Sequence, residues 1–183
     1  SEKMMDHFRN PRNVGKIENP DGTATVGSLA CGDALQFQFK LGADGRIAEA
    51  KFQTFGCASA IASSSALTEM VIGKTLEEAK QITNQQIADY LGGLPPQKMH
   101  CSVMGREAME AAIKNYETGE NADRNLEDET LCTCYNVSEN EIRRVITENQ
   151  LTTVEEVTNF TKAGGGCGRC KAQIEKILKE LGR

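Results

Sequence analysis

Ala34-Leu-Gln-Phe-Gln-Phe-Lys-Leu41 is the stretch that decides the fold. Leu35, Phe37, Phe39 and Leu41 alternate with polar residues, the period of a strand with one buried face. Ala43-Asp-Gly45 follows as a hairpin turn. Residues 46–53 alternate again, with Ala48, Ala50 and Phe52 on one face, and Thr23 to Leu29 supplies a third strand. Three antiparallel strands with a single apolar face need a covering layer of helices.

Those helices follow in the sequence. Residues 58–72 are rich in Ala and Ser, and Thr75-Leu-Glu-Glu78 is a capping box that opens a short helix. Asn84 caps another, running to Leu91. Gly92-Gly-Leu-Pro-Pro96 is a break, and a long helix then runs from Met99 to Tyr116, ended by Gly119.

Residues 117–129 change character. Six of the thirteen are acidic and only Leu126 is strongly apolar, the composition of a solvated linker. The reading is a first domain at 1–119, an acidic linker at 120–130 and a second domain at 131–183. In the second domain Ser138…Glu141 and Thr153…Glu156 are capping boxes. Ile142, Val145 and Ile146 form one apolar stripe; Ile174, Ile177, Leu178 and Leu181 form another. Gly164-Gly-Gly166 separates the last two helices. The fold class expected is α+β: a three-stranded antiparallel sheet packed with helices, then a small helical domain.

The net charge of −5 argues against a general nucleic-acid surface. No run approaches the ~20 apolar residues of a membrane span, and Ser1-Glu-Lys-Met-Met-Asp6 lacks the apolar core of a signal peptide. The expected location is the cytoplasm. The missing initiator Met suggests a chain trimmed at its start.

Seven cysteines are the unusual feature. An odd number argues against a complete disulfide framework, and cytosolic thiols stay reduced. Cys132-Thr-Cys134, 32 residues, then Cys167-Gly-Arg-Cys170 makes two close pairs. Four thiolates suit zinc or an iron–sulfur cluster. A domain of about 50 residues gains from a metal staple. Zinc pairs normally follow C-x2–4-C, which Cys167 and Cys170 fit and Cys132 and Cys134 do not. The spacing favours iron–sulfur only modestly, and zinc stays open on the residues alone.

Cys31, Cys57 and Cys101 are spread over the first hundred residues. Any one of them reads as a buried small side chain. All three, however, stand at element edges. Cys31 is followed by Gly32-Asp33 just before a strand, Cys57 follows Gly56 at a strand-to-helix junction, and Cys101 follows His100 at a helix start. A helix N-terminus favours the thiolate, the form that binds metal. Asp33 and His100 complete a mixed donor set. Three thiolates leave a coordination position open or filled by oxygen or nitrogen, a shell that holds metal less securely than four thiolates.

Three segments carry a resemblance: Ala30-Cys-Gly-Asp33, Phe55-Gly-Cys-Ala-Ser-Ala-Ile-Ala-Ser-Ser-Ser65 and Leu94-Pro-Pro-Gln-Lys-Met-His-Cys-Ser102. They are similar to the signature segments of the IscU/NifU scaffold family. Thr161-Lys-Ala-Gly-Gly-Gly-Cys-Gly-Arg-Cys170 resembles the permanent [2Fe–2S] domain of NifU-type proteins, also found in bacterioferritin-associated ferredoxin. Two departures stand out. Ala58 replaces a common Gly, and Gln97 lies in the segment that chaperones recognise in single-domain scaffolds.

The resemblance implies a non-enzymatic scaffold that builds iron–sulfur clusters and passes them to apo-proteins, nitrogenase components being the usual clients. It makes Cys31, Cys57 and Cys101 ligands of a transient [2Fe–2S] or [4Fe–4S] cluster built from iron and sulfide. Asp33 makes that cluster labile, and His100 is an alternative ligand. Cys132, Cys134, Cys167 and Cys170 hold a permanent [2Fe–2S]. The implied partner is a NifS-type cysteine desulfurase, and a homodimer is expected because a [4Fe–4S] cluster can be shared between two chains. Larger family members carry a third, C-x-x-C domain; the sequence stops at Arg183 before one, the expectation for either a truncated chain or a two-domain form.

Overall fold

The structure, a computed structural model, describes residues 1–28, 33–123 and 130–183. It divides into two compact units, Ser1–Leu94 with Cys101–Asn125, and Pro95–His100 with Leu126–Arg183. The class is α+β.

Strands β1 (Gly22–Ser28), β2 (Asp33–Leu41) and β3 (Ile47–Thr54) pair antiparallel in the order β1-β2-β3. The register sets Ala24, Phe37 and Phe52 in one row and Gly22, Phe39 and Ala50 in the next. Leu35, Phe37 and Phe39 are fully buried, as their alternation requires. Leu67 and Val71 of helix α2 (Ala58–Val71) and Met109, Ala112 and Ile113 of helix α5 (Met99–Thr118) close the core over this face. Two short helices, α3 (Leu76–Lys80) and α4 (Asn84–Tyr90), lie between them in the chain.

Three expectations need correction or addition. Ala48 does not share the face of Ala50 and Phe52. The β2–β3 register shifts between Lys40 and Leu41, so Leu41 pairs with Ile47 and Ala48 is left over. This bulge turns Ile47 inward and leaves Ala48 exposed. Helix α4 is capped by Thr83 rather than Asn84: the Thr83 hydroxyl accepts from the Gln86 amide and the Gln86 side chain returns to the Thr83 amide. An N-terminal helix, α1 (Glu2–Arg9), precedes the sheet. Its His7 is buried, with Nδ1 2.8 Å from Ser65 Oγ and Nε2 3.5 Å from Glu69 Oε2. Burial, helped by the Arg12 charge, pushes the His7 pKa below its ordinary value against the pull of Glu69 and Asp6.

The second unit contains a small ribbon, β4 (Thr130–Cys132) paired with β5 (Val137–Ser138), and three helices, α6 (Glu139–Asn149), α7 (Val154–Thr161) and α8 (Lys171–Glu180). The ribbon was not expected; strands of two or three residues leave no periodic signal. Ser138 caps α6 by accepting from the Glu141 amide, and Thr153 and Glu156 form the capping box of α7. Ile142, Val145, Ile146, Ile174, Ile177 and Leu178 are buried, and Leu181 is half-buried. Among the described residues no helix is long and apolar enough to cross a membrane.

Candidate metal centres

The first centre forms where β3 runs into α2. Cys57 is the N-cap of α2 and Cys101 lies in the first turn of α5. Their Sγ atoms are 3.7 Å apart, and neither is in a disulfide. A disulfide needs ~2.05 Å. Two thiolates on one tetrahedral metal at ~2.3 Å sit about 3.8 Å from each other. The pair therefore has ligand spacing. Cys101 is buried and Cys57 half-buried, so the pair opens outward on the Cys57 side.

Asp33 opens β2 and its carboxylate lies against Gly56, the residue before Cys57. A Cβ on Gly56 would stand 3.5 Å from Asp33 Oδ1, 3.1 Å from Thr54 Oγ1 and only 2.6 Å from the Ala60 methyl. Only glycine lets the loop pass this close to α2. Thr54 Oγ1 donates to Ala34 O at 2.8 Å, and the Phe55 amide donates to the same carbonyl at 3.1 Å. These bonds tie the start of β2 to the end of β3. The structure thus brings Cys57 and Cys101 together and sets Asp33 against the residue that precedes Cys57; among the described residues no three His, Cys, Asp or Glu side chains gather around one metal position. His100 precedes Cys101 in the first turn of α5 and is half-buried. Cys31 and residues 124–129 of the linker lie outside the described residues.

The second centre uses the β4–β5 ribbon and the start of α8. Cys132 ends β4, Cys134 follows in the turn, and Cys170 is the N-cap of α8. The Cys132/Cys134 pair therefore sits on the ribbon. Cys134 and Cys167 are exposed; Cys132 and Cys170 are buried. Gly166 lets the chain close on Cys134: a Cβ there would stand 2.9 Å from both Cβ and Sγ of Cys134.

The thiols interact in two pairs, Cys167 with Cys134 and Cys170 with Cys132. Hydrogen bonds from the Arg169 side chain and amide, then from Cys134, hold the Cys167 pKa at about 7. Burial and the neighbouring Cys132 push Cys170 upward, opposed by the Gly164 amide. Among the described residues no three His, Cys, Asp or Glu side chains are placed to hold one metal ion. A single-metal knot needs four donors around one point, whereas a two-iron cluster takes two thiolates per iron. Paired thiols, a glycine without a Cβ beside one of them and an amide at another fit a [2Fe–2S] cluster. Arg169 and the close approach at Gly56 escaped the sequence reading; Cys167-Gly-Arg-Cys170 displayed the cation openly.

Residues 1–123 match the family described as NifU-like N terminal domain. Residues 130–180 match the BFD-like [2Fe-2S] binding domain. The nitrogen fixation protein NifU of Trichormus azollae is 53% identical over 190 residues, covering 99% of this chain and 63% of that protein. The iron-sulfur cluster assembly scaffold protein IscU of Haemophilus influenzae is 55% identical over 119 residues, covering 63% of this chain and 94% of that protein. A crystal structure of the N-terminal part of a nitrogen-fixing NifU-like protein from Brucella abortus aligns with a TM-score of 0.52 at 21% identity. It covers 66% of this chain and 95% of that one, a likeness of fold. The chain spans 63% of the length of the Trichormus azollae relative.

Proposed function

We propose that this chain, which belongs to the NifU-like N-terminal domain family and continues into a BFD-like [2Fe-2S] binding domain, is a scaffold that assembles iron–sulfur clusters and passes them to apo-proteins in nitrogen fixation. The observation that carries the reading is the Cys57–Cys101 pair at ligand spacing, with Asp33 against Gly56, the residue before Cys57. The transient cluster is cargo, a [2Fe–2S] or [4Fe–4S] held by Cys31, Cys57 and Cys101. Asp33 supplies an oxygen donor, which binds iron less firmly than a fourth thiolate and lets the cargo leave. His100 is an alternative ligand. The incomplete shell is what separates a site that gives its cluster away from one that keeps it.

Cys132, Cys134, Cys167 and Cys170 hold the permanent [2Fe–2S] centre. That centre, when bound, carries one electron at a time. The chain itself is not an enzyme. A NifS-type cysteine desulfurase delivers persulfide sulfur to an N-terminal cysteine, and nitrogenase components are among the clients. Residues 1–119 form the scaffold domain, 120–130 the linker and 131–183 the [2Fe–2S] domain. The protein works in the cytoplasm, and two chains share a [4Fe–4S] cluster as a homodimer.

The test is reconstitution of the full chain with ferrous iron, cysteine and a NifS-type desulfurase, followed by transfer to an apo-ferredoxin. Cys57→Ala and Cys101→Ala are expected to abolish transfer and leave the C-terminal centre's absorption intact. Wild-type transfer by both variants would refute the scaffold role. Zinc without iron after anaerobic purification would refute the C-terminal assignment.

A further inference from the structure

The chain between Glu156 and Glu175 carries three cations, Lys162, Arg169 and Lys171, and no carboxylate. The three differ in what they touch. Lys162 Nζ stands 5.7 Å from the centre of the Tyr135 ring. Lys171 lays its stem along Gly164 and Gly168. Arg169 Nε donates to Cys167 Sγ at 3.3 Å, and its charge also acts on Cys134. Among the described residues no carboxylate pairs with Arg169, so its guanidinium is committed to these two sulfurs. Cys134 and Cys167 are the exposed members of the four. Arg169 therefore sits on the wet edge of the centre, the side from which an electron partner would approach.

We propose that Arg169 is a positioning residue that raises the reduction potential of the C-terminal centre by donating to the Cys167 sulfur. The inference rests on the reading that the four cysteines hold a [2Fe–2S] cluster. Reduction adds one electron, and part of the added negative charge falls on the thiolate sulfurs. A hydrogen-bond donor with a fixed positive charge at one sulfur stabilises the reduced form more than the oxidised form. The contact is exposed, so water replaces part of the hydrogen bond when the guanidinium is removed, and the effect is moderate.

The experiment uses the full chain, reconstituted anaerobically and titrated with dithionite and mediators. Visible absorption and the electron paramagnetic resonance of the reduced centre report the redox state. Arg169→Gln is expected to keep its two irons and to fall in potential by about tenfold in the one-electron equilibrium constant, ~59 mV. Lys171→Gln removes the same charge two residues away without a sulfur contact and is expected to shift far less. Arg169→Lys falls between wild type and Arg169→Gln. Equal potentials in wild type and Arg169→Gln overturn the proposal, as does an equal shift in Lys171→Gln. If Arg169→Gln loses its cluster, Arg169→Lys decides: a lowered potential supports the contact and an unchanged one overturns it. A wild-type chain with no [2Fe–2S] signal instead overturns the cluster reading on which the proposal stands.

Discussion

Gly56→Ala should disable the N-terminal centre while leaving the fold and the C-terminal centre in place. The added Cβ would stand 2.6 Å from the Ala60 methyl and 3.1 Å from Thr54 Oγ1. Carbon atoms in contact rest at about 3.5–4.0 Å, so roughly 1 Å must be found. Ala60 is fully buried on α2, and Thr54 Oγ1 is held by the Ala34 carbonyl. The loop that carries Cys57 is therefore the part that moves. Overpacking of this kind costs about 1–3 kcal/mol, a fall of several degrees in Tm for a domain of this size. Metal sites tolerate only about 0.2 Å in ligand distance, so displacing Cys57 from its 3.7 Å spacing to Cys101 should slow cluster loading at least tenfold. Thermal unfolding by circular dichroism reads the stability, and absorbance during reconstitution reads the loading. A variant within about 0.5 kcal/mol of wild type that loads at the wild-type rate would refute the steric reasoning.

Other expectations follow from single contacts. His7 is held below its ordinary pKa of 6.5, chiefly by burial. Below that pH the unfolded chain takes up a proton that the folded chain refuses, so stability falls with falling pH until folded His7 itself titrates. Urea unfolding from pH 7.5 to 5.5 should show a steeper loss in wild type than in His7→Gln; equal slopes would remove His7 as the responsible group. Phe37→Ala, fully buried between Ala24 and Phe52, should cost about 3–5 kcal/mol in the same assay. A loss under about 1 kcal/mol would contradict the packing of the sheet. Asp33→Ala should slow release of the transient cluster to an apo-ferredoxin, and an unchanged release rate would take Asp33 out of the mechanism.

The sheet was legible because Leu35, Phe37 and Phe39 alternate on a strand with one buried face. The bulge was not. Ala48 carries an alternating pattern that a one-residue register shift inverts, and only pairing with β2 exposes the shift. Thr83 outcompeted Asn84 as a cap because Gln86 stands three residues beyond Thr83, a signal present in the sequence and passed over. The α1 helix hid for another reason: its contacts are distant in sequence, His7 against Ser65 and Glu69, 58 and 62 residues away, and Met4 against Ala62, Ala66 and Leu91. The cysteine spacing gave a first hint of two sites, and the resemblance carried the reading of the N-terminal one. Spacing could not say that Cys57 and Cys101 meet at 3.7 Å, or that Cys134 contacts Cys167 while Cys132 contacts Cys170. Close backbone approaches at Gly56 and Gly166 accompany those pairings, and only the one at Gly166 had a local signal, the glycine run 164–166.

The most direct measurement of the central claim is iron and sulfide content of the reconstituted full chain before and after brief exposure to a chelator. The account predicts two populations, a chelator-resistant pair of irons that remains with Cys132, Cys134, Cys167 and Cys170, and a labile population that vanishes in Cys57→Ala and Cys101→Ala. A single population, resistant throughout and indifferent to both substitutions, would contradict it.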